Sequence, residues 1–186
     1  VYPFLIRLLY CCGLRISEAL SLKISDIDFT DKVITVRQSK YNNTRLVPMS
    51  ESLFACLRNY MNAVRYSEND TGLLFRNRWG KAYRPNSILQ KYKKLLEEAG
   101  IPCTASGKLP RLHDLRHTFA VHALEGMAAQ GIDMYVSIPY LEEYMGHRNI
   151  NCTEKYLRLT ADSYDRIIDA LTPLYNDMIK GGDADE

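Results

Sequence analysis

Apolar residues at Leu5, Leu8, Leu9 and Cys12 recur at helical spacing, stop at Gly13, and resume at Ile16, Ala19 and Leu20. Two helices therefore meet within three residues, and Arg15 falls at the start of the second. Val33 to Arg37, by contrast, alternates and is β-branched, Leu46 to Pro48 reads as a second short strand, and the polar stretch Ser39 to Asn43 reads as the turn between them. That puts Lys40 in a hairpin turn. Ser50 is placed to cap an amphipathic helix running to about Tyr66, Leu73 to Phe75 reads as a further short strand, and Pro85 opens a helix that ends before Gly100. A loop rich in Pro, Gly and Ser leads from Ile101 to Arg111 into a helix opening near His113. Helices are expected again from Pro139 to Met145, around Tyr156 and from Ala161 onward, with Pro173 breaking or restarting the last. The expected fold class is mainly α with a small antiparallel β-sheet (α+β).

At 186 residues and 46% hydrophobic content the chain can bury one sizeable core, so a single domain over residues 1–186 is expected. Val1 opens directly on an apolar run, which suggests that an N-terminal part of a longer protein precedes it. No charged leader with a cleavage site is visible, and no apolar run nears the roughly 20 residues of a membrane-spanning helix. Five scattered cysteines without a C-x-x-C pair suit a reducing compartment. The expectation is a soluble, cytoplasmic protein with no membrane partner.

The overall charge of +2 hides an uneven distribution. Between Arg76 and Arg116 ten Lys/Arg stand against Glu97, Glu98 and Asp114, a local net of +7, whereas Thr160 to Glu186 carries a net of −5. Arg76, Arg78, Lys81, Arg84, Lys91, Lys93, Lys94, Lys108 and Arg111, interleaved with Trp79, Tyr83 and Tyr92, form a stretch that can track a phosphate backbone. The plain alternative is a solvated charged face.

Three segments carry candidate chemistry: Gly13-Leu14-Arg15-Ile16-Ser17-Glu18, His113-Asp114-Leu115-Arg116-His117, and Gly146-His147-Arg148-Asn149 with Tyr156 nine residues after His147. Each alone is ambiguous, because an Arg at a helix start commonly makes a surface salt bridge and a lone His or Tyr is commonly structural. Together, in order and spacing, they resemble the tyrosine recombinase (phage integrase) family. Its catalytic domain carries an Arg in a G-L-R-x-S-E box, an H-x-x-R box, and a G-H pair followed by the nucleophilic Tyr. The resemblance runs from about Tyr2 to Arg158 and maps the family's hairpin lysine onto Lys40.

The residue types suit phosphoryl transfer, whose anionic transition state is met by positioning and charge. Arg15 and Arg116 each offer a planar fork of donors to the nonbridging oxygens. The Tyr156 phenol, with an ordinary pKa of roughly 10, needs a proton acceptor or a cationic pocket to become a nucleophile. The resemblance implies that His113 exchanges protons, that His147 donates to the phosphate, and that Lys40 protonates the departing 5′ oxygen. Glu18, one helical turn after Arg15, is read either as its brace or as an ordinary surface pair. Asp114 and His117 flank Arg116 as supports or as packing groups.

The expected reaction leaves a 3′-phosphotyrosine and a free 5′ hydroxyl, and a second strand's hydroxyl then reverses the attack. Bond energy is kept in the covalent link, so no cofactor, ATP or metal is expected. The implied partner is double-stranded DNA, bound by a chain that is monomeric in solution and assembles as a homotetramer on two duplexes. A mobile-element integrase is the favoured role, and the resemblance also implies an N-terminal DNA-binding domain outside this chain. A type IB topoisomerase shares the chemistry but religates the original strand. A zinc peptidase is raised by His113 and His117 four apart, although Asp114 stands where H-E-x-x-H needs Glu and Arg116 would oppose the metal.

Thr118 to Gly146 exceeds the family's usual spacing by roughly two helical turns, with Met127 to Gln130 and Met134 to Pro139 expected as a surface loop or an extended helix. The apolar residues of 160–180, ahead of an acidic tail, are expected to dock on an adjacent protomer or to fold back on their own domain.

Overall fold

The computed structural model describes residues 1–37, 44–104 and 107–146. Helix α1 (Tyr2–Cys12) has a proline in its first turn and buries Phe4, Leu5, Leu8, Leu9 and Cys12 along one face. Gly13 ends it at φ 58°, a left-handed conformation that costs glycine nothing. Helix α2 (Ile16–Ser21) follows with Arg15 as its cap residue in extended conformation. The junction expected from the sequence is therefore present.

A 3-10 turn (Ile24–Asp26) leads to strand β1 (Ile27–Asp28), which pairs antiparallel with β2 (Val33–Arg37). Strand β3 (Thr44–Pro48) adds to the other side of β2, giving the order β1-β2-β3. Ile34 faces Val47 and Val36 faces Arg45 across the β2–β3 ladder. Ile34, Val36 and Val47 are buried, so the core-facing register of β3 includes Arg45 while Leu46 is 65% exposed. The expected hairpin turn, with Lys40, lies outside the described residues.

Helix α3 (Glu51–Val64) is capped by the Ser50 hydroxyl, which accepts from the Leu53 amide at 3.3 Å. Its buried residues, Leu53, Leu57, Tyr60 and Met61, fall on one helical face. Tyr60 stacks on Phe4 with ring centroids 5.1 Å apart, meets Phe75 at 5.6 Å, and donates its hydroxyl to the Leu74 carbonyl at 3.1 Å. Burial pushes the Tyr60 phenol above its ordinary range.

The strand expected at Leu73 to Phe75 is reduced to a single antiparallel bridge between Lys23 and Leu73. Two backbone bonds flank it, Ile24 to Gly72 at 3.0 Å and Leu74 to Leu22 at 2.8 Å. It cannot lengthen because its partner winds into the 3-10 turn at Ile24. Leu74 and Phe75 are nonetheless fully buried, so the apolar signal reported core rather than ladder.

Helix α4 (Pro85–Glu98) opens on its proline, and α5 (Asp114–Ala129) follows the expected loop, of which Ala105 and Ser106 lie outside the described residues. Helix α6 (Met134–Met145) starts five residues ahead of the expected Pro139, which lies inside it. Of the two stretches expected as a surface loop or an extended helix, Met127 to Gln130 ends α5 and passes into the turn after it, and Met134 to Pro139 forms the first half of α6. The chain divides into two compact units, Val1–Phe119 and one beginning at Ala120. Among the described residues no helix is long and apolar enough to cross a membrane. The helices expected around Tyr156 and from Ala161 lie outside the described residues.

Candidate active site

The turn into α2 places Arg15 and Glu18 by a helix-capping arrangement. Glu18 is the third residue of the helix, and its Oε2 accepts the Arg15 backbone N–H at 2.8 Å. Its Oε1 accepts from the Arg15 guanidinium at 2.8 Å. A second guanidinium completes the cluster: Arg45 donates to Oε1 at 3.1 Å and to Oε2 at 2.8 Å. Glu18 is 7% exposed, Arg45 10% and Arg15 36%.

Glu18 is therefore no surface pair but a buried carboxylate held by two arginines. Burial alone would raise its pKa; hydrogen bonds from Arg45 and the Arg15 backbone, the charge of Arg45 and the hydrogen bond from the Arg15 guanidinium hold it below the ordinary carboxylate range. Arg45 was missed in the sequence. The signal was there in the strand period: once Val47 faces the core, so does the residue two before it.

Arg116 lies in the first turn of α5 and is 1% exposed. Its guanidinium donates to the carbonyl of Gly13, two residues before Arg15. This bond spans 103 positions and carries the second arginine box to the first. Phe119, one turn further along α5, packs on Gly13, where a methyl group would lie 2.4 Å from its ring. Glycine at 13 therefore serves twice, through its positive φ and through its missing side chain.

Asp114 does not support Arg116 directly. It accepts the Arg111 backbone N–H at 2.7 Å and the Arg111 guanidinium at 2.8 Å, which fixes the start of α5. The rings of His113 and His117 meet edge to face with centroids 4.7 Å apart. Partial desolvation, then the charges of His117, Arg116 and Arg111, hold His113 below its ordinary pKa, with Asp114 opposing. Desolvation also lowers His117, where the pull of Asp114 is outweighed with the help of Arg111 and Arg116. Both imidazoles are thus biased to the neutral form. Among the described residues no group of three His, Cys, Asp or Glu could hold a metal ion. Lys40, His147 and Tyr156 lie outside the described residues.

The cationic stretch divides by environment. Arg76 is engaged by Asp70 and sits over the Tyr66 ring at 4.1 Å; its hydrogen bonds bring the Asp70 carboxyl down to about 2. Lys93 and Lys94 lie on α4 at 3.9 and 3.7 Å from Glu97 and Glu98, and Lys91 is half-buried. The Asn77 side chain accepts from the amides of Trp79 and Lys81 at 2.9 and 3.1 Å, shaping a turn that presents Arg78, Trp79 and Lys81. Trp79 is 67% exposed, with the Arg78 guanidinium 4.2 Å from the ring centroid. Arg84, Lys108 and Arg111 are exposed. Tyr92 is buried, so of the three interleaved aromatics only Trp79 and the half-buried Tyr83 reach the surface.

Residues 2–163 match the model of the phage integrase family. Tyrosine recombinase XerA of Pyrococcus furiosus is 32% identical over 175 residues, 92% of this chain and 55% of that protein. The crystal structure of a XerA recombinase superimposes with a TM-score of 0.65 at 26% identity, covering 95% of this chain and 62% of the other. XerH site-specific recombinase, bound to a palindromic difH substrate, shares the fold with a TM-score of 0.67 at 23% identity, over 92% of this chain and 45% of that one. The chain spans about half the length of the curated relatives it matches.

Proposed function

The chain belongs to the phage integrase family, and from this we propose that it is the catalytic part of a tyrosine site-specific recombinase that cuts and rejoins double-stranded DNA through Tyr156. The observation that carries the reading is the bond from Arg116 to the Gly13 carbonyl, which draws two arginines from separate sequence boxes to one helix junction. Two forked cations at one place suit the nonbridging oxygens of a phosphodiester.

In this mechanism the Tyr156 phenolate oxygen attacks the scissile phosphorus. The P–O5′ bond breaks, a 3′-phosphotyrosine forms, and the 5′ oxygen leaves as a hydroxyl. Arg15 and Arg116 stabilise the added negative charge as it develops. His113, biased to its neutral form, accepts a proton from the phenol. Lys40 supplies the proton to the leaving oxygen, and His147 donates to the phosphate. A 5′ hydroxyl from another duplex then attacks the phosphotyrosine and releases Tyr156. The exposed cations from Arg78 to Arg111 follow the DNA backbone.

Strand exchange in this reading is the work of four protomers on two duplexes, with the segment 160–180 docking on a neighbour, in service of a mobile element in the cytoplasm. The test is a nicked suicide duplex, which loses its 5′ hydroxyl after cleavage and traps the covalent complex. Sequencing the attached strand and mapping the adduct to Tyr156 is the expected outcome. An adduct absent from the wild-type chain, or still formed by Tyr156→Phe, overturns it. Strand exchange beside plasmid relaxation separates a recombinase from a topoisomerase.

A further inference from the structure

The Arg45 side chain is in an unusual place for an arginine. In β3 it shares the core-facing register with Val47, opposite Val36, while the neighbouring Leu46 is turned to solvent. Burying the leucine and exposing the arginine would be the cheaper arrangement by the hydrophobic effect alone. What Arg45 gains in return is a two-pronged grip on Glu18, one guanidinium nitrogen to each carboxylate oxygen.

We propose that Arg45 is a positioning residue for Arg15, acting through Glu18: it shares the carboxylate that Arg15 also holds, so that Glu18 does not cancel the whole charge that Arg15 brings to the DNA phosphate. The inference rests on the phosphate-clamp reading above. Among the described residues the cluster holds two guanidinium groups and one carboxylate, a net charge of +1, and Arg15 is its most exposed member. Without Arg45, the buried Glu18 would have Arg15 as its remaining cationic partner among the described hydrogen bonds. The cluster would then be neutral among the described residues, and the phosphate would face stronger competition from Glu18 for the Arg15 donors. Pair interactions are strong where water is excluded, so the loss would be felt at the reacting phosphate. The same grip pins β3, whose first residue stands four positions after Lys40, onto the start of α2.

The full chain on the suicide duplex gives the test, with adduct formation followed at saturating DNA and DNA affinity measured separately. Arg45→Gln is expected to slow adduct formation by about 10- to 100-fold with little change in affinity. Glu18→Gln added to Arg45→Gln should restore most of the rate, because a glutamine still accepts the Arg15 backbone N–H but no longer neutralises its guanidinium. Arg45→Lys should stay closer to wild type than Arg45→Gln. A purely structural Arg45 would give no such restoration, since the second substitution removes more of the cluster. If Arg45→Gln does not fold, the double variant, which leaves no unpaired buried charge, carries the test, and an adduct rate as low as that of Arg15→Ala would overturn the inference. A wild-type rate in Arg45→Gln, or no restoration, overturns it while the parent reading stands. No adduct from the wild-type chain overturns the parent reading and this inference with it.

Discussion

Phe119 packs its ring against Gly13, so that a methyl group on the glycine would sit 2.4 Å from Phe119 Cδ1. Gly13 also has φ 58° and offers its carbonyl to Arg116. Gly13→Ala therefore meets a backbone penalty and a steric one at the same point, and is expected to destabilise the fold by about 2 kcal/mol. Chemical unfolding checks this, and Phe119→Leu combined with Gly13→Ala should recover part of the loss. Full stability in Gly13→Ala would contradict the packing described.

Arg15→Ala and Arg116→Ala should each lower covalent adduct formation by a factor on the order of 100 or more. They should differ in stability. Arg15 is partly exposed, and its removal leaves Glu18 paired with Arg45, so the variant should melt near wild type. Arg116 is buried and bonded to the Gly13 carbonyl, and its truncation should lower the melting temperature as well. Adduct formation at the wild-type rate by either variant refutes the clamp.

Acidification should weaken the fold in two windows. His113 and His117 lie below their ordinary value of 6.5, so the unfolded chain takes up protons first. Their contribution is present above pH 6.5 and is lost as pH falls through the lowered folded values. Glu18 lies below its ordinary 4.5, and its contribution is present above that pH and lost further down. Urea midpoints measured against pH should show both steps, and His113→Gln with His117→Gln should remove the upper one. Adduct formation should also fall as the pH drops through the lowered folded value of His113, where it loses its capacity to accept a proton.

Cations that share a stretch of sequence should behave differently. Arg84→Glu or Lys94→Glu should weaken binding to any duplex and flatten its salt dependence, by about one unit of slope for each phosphate that is no longer neutralised. Arg76→Ala should act chiefly on stability, because Arg76 is bonded to Asp70 and stacked on Tyr66. Fluorescence anisotropy across a salt series, beside thermal melts, distinguishes the two. Equal effects on affinity from Arg76 and Arg84 would refute the division.

The sequence by itself determined the features that depend on neighbours within a turn or a strand. The break at Gly13, Arg15 at a helix start, the Ser50 cap, Pro85 at the head of its helix and the alternation of Val33 to Arg37 were all legible, because each follows from local periodicity or backbone chemistry. The two arginine boxes could be recognised through their resemblance, in residue order and spacing, to a known family. What they do to one another could not. The burial of Arg116 against Gly13 spans 103 positions, and the Arg45 grip on Glu18 spans 27. Both depend on how helices and strands pack, and on a ladder register that turns Arg45 inward and Leu46 outward. Tertiary structure also decided that Tyr92 is core and that Arg76 pairs with Asp70 over the Tyr66 ring, since a side chain's environment is set by the elements that fold over it, and local spacing carries no record of those.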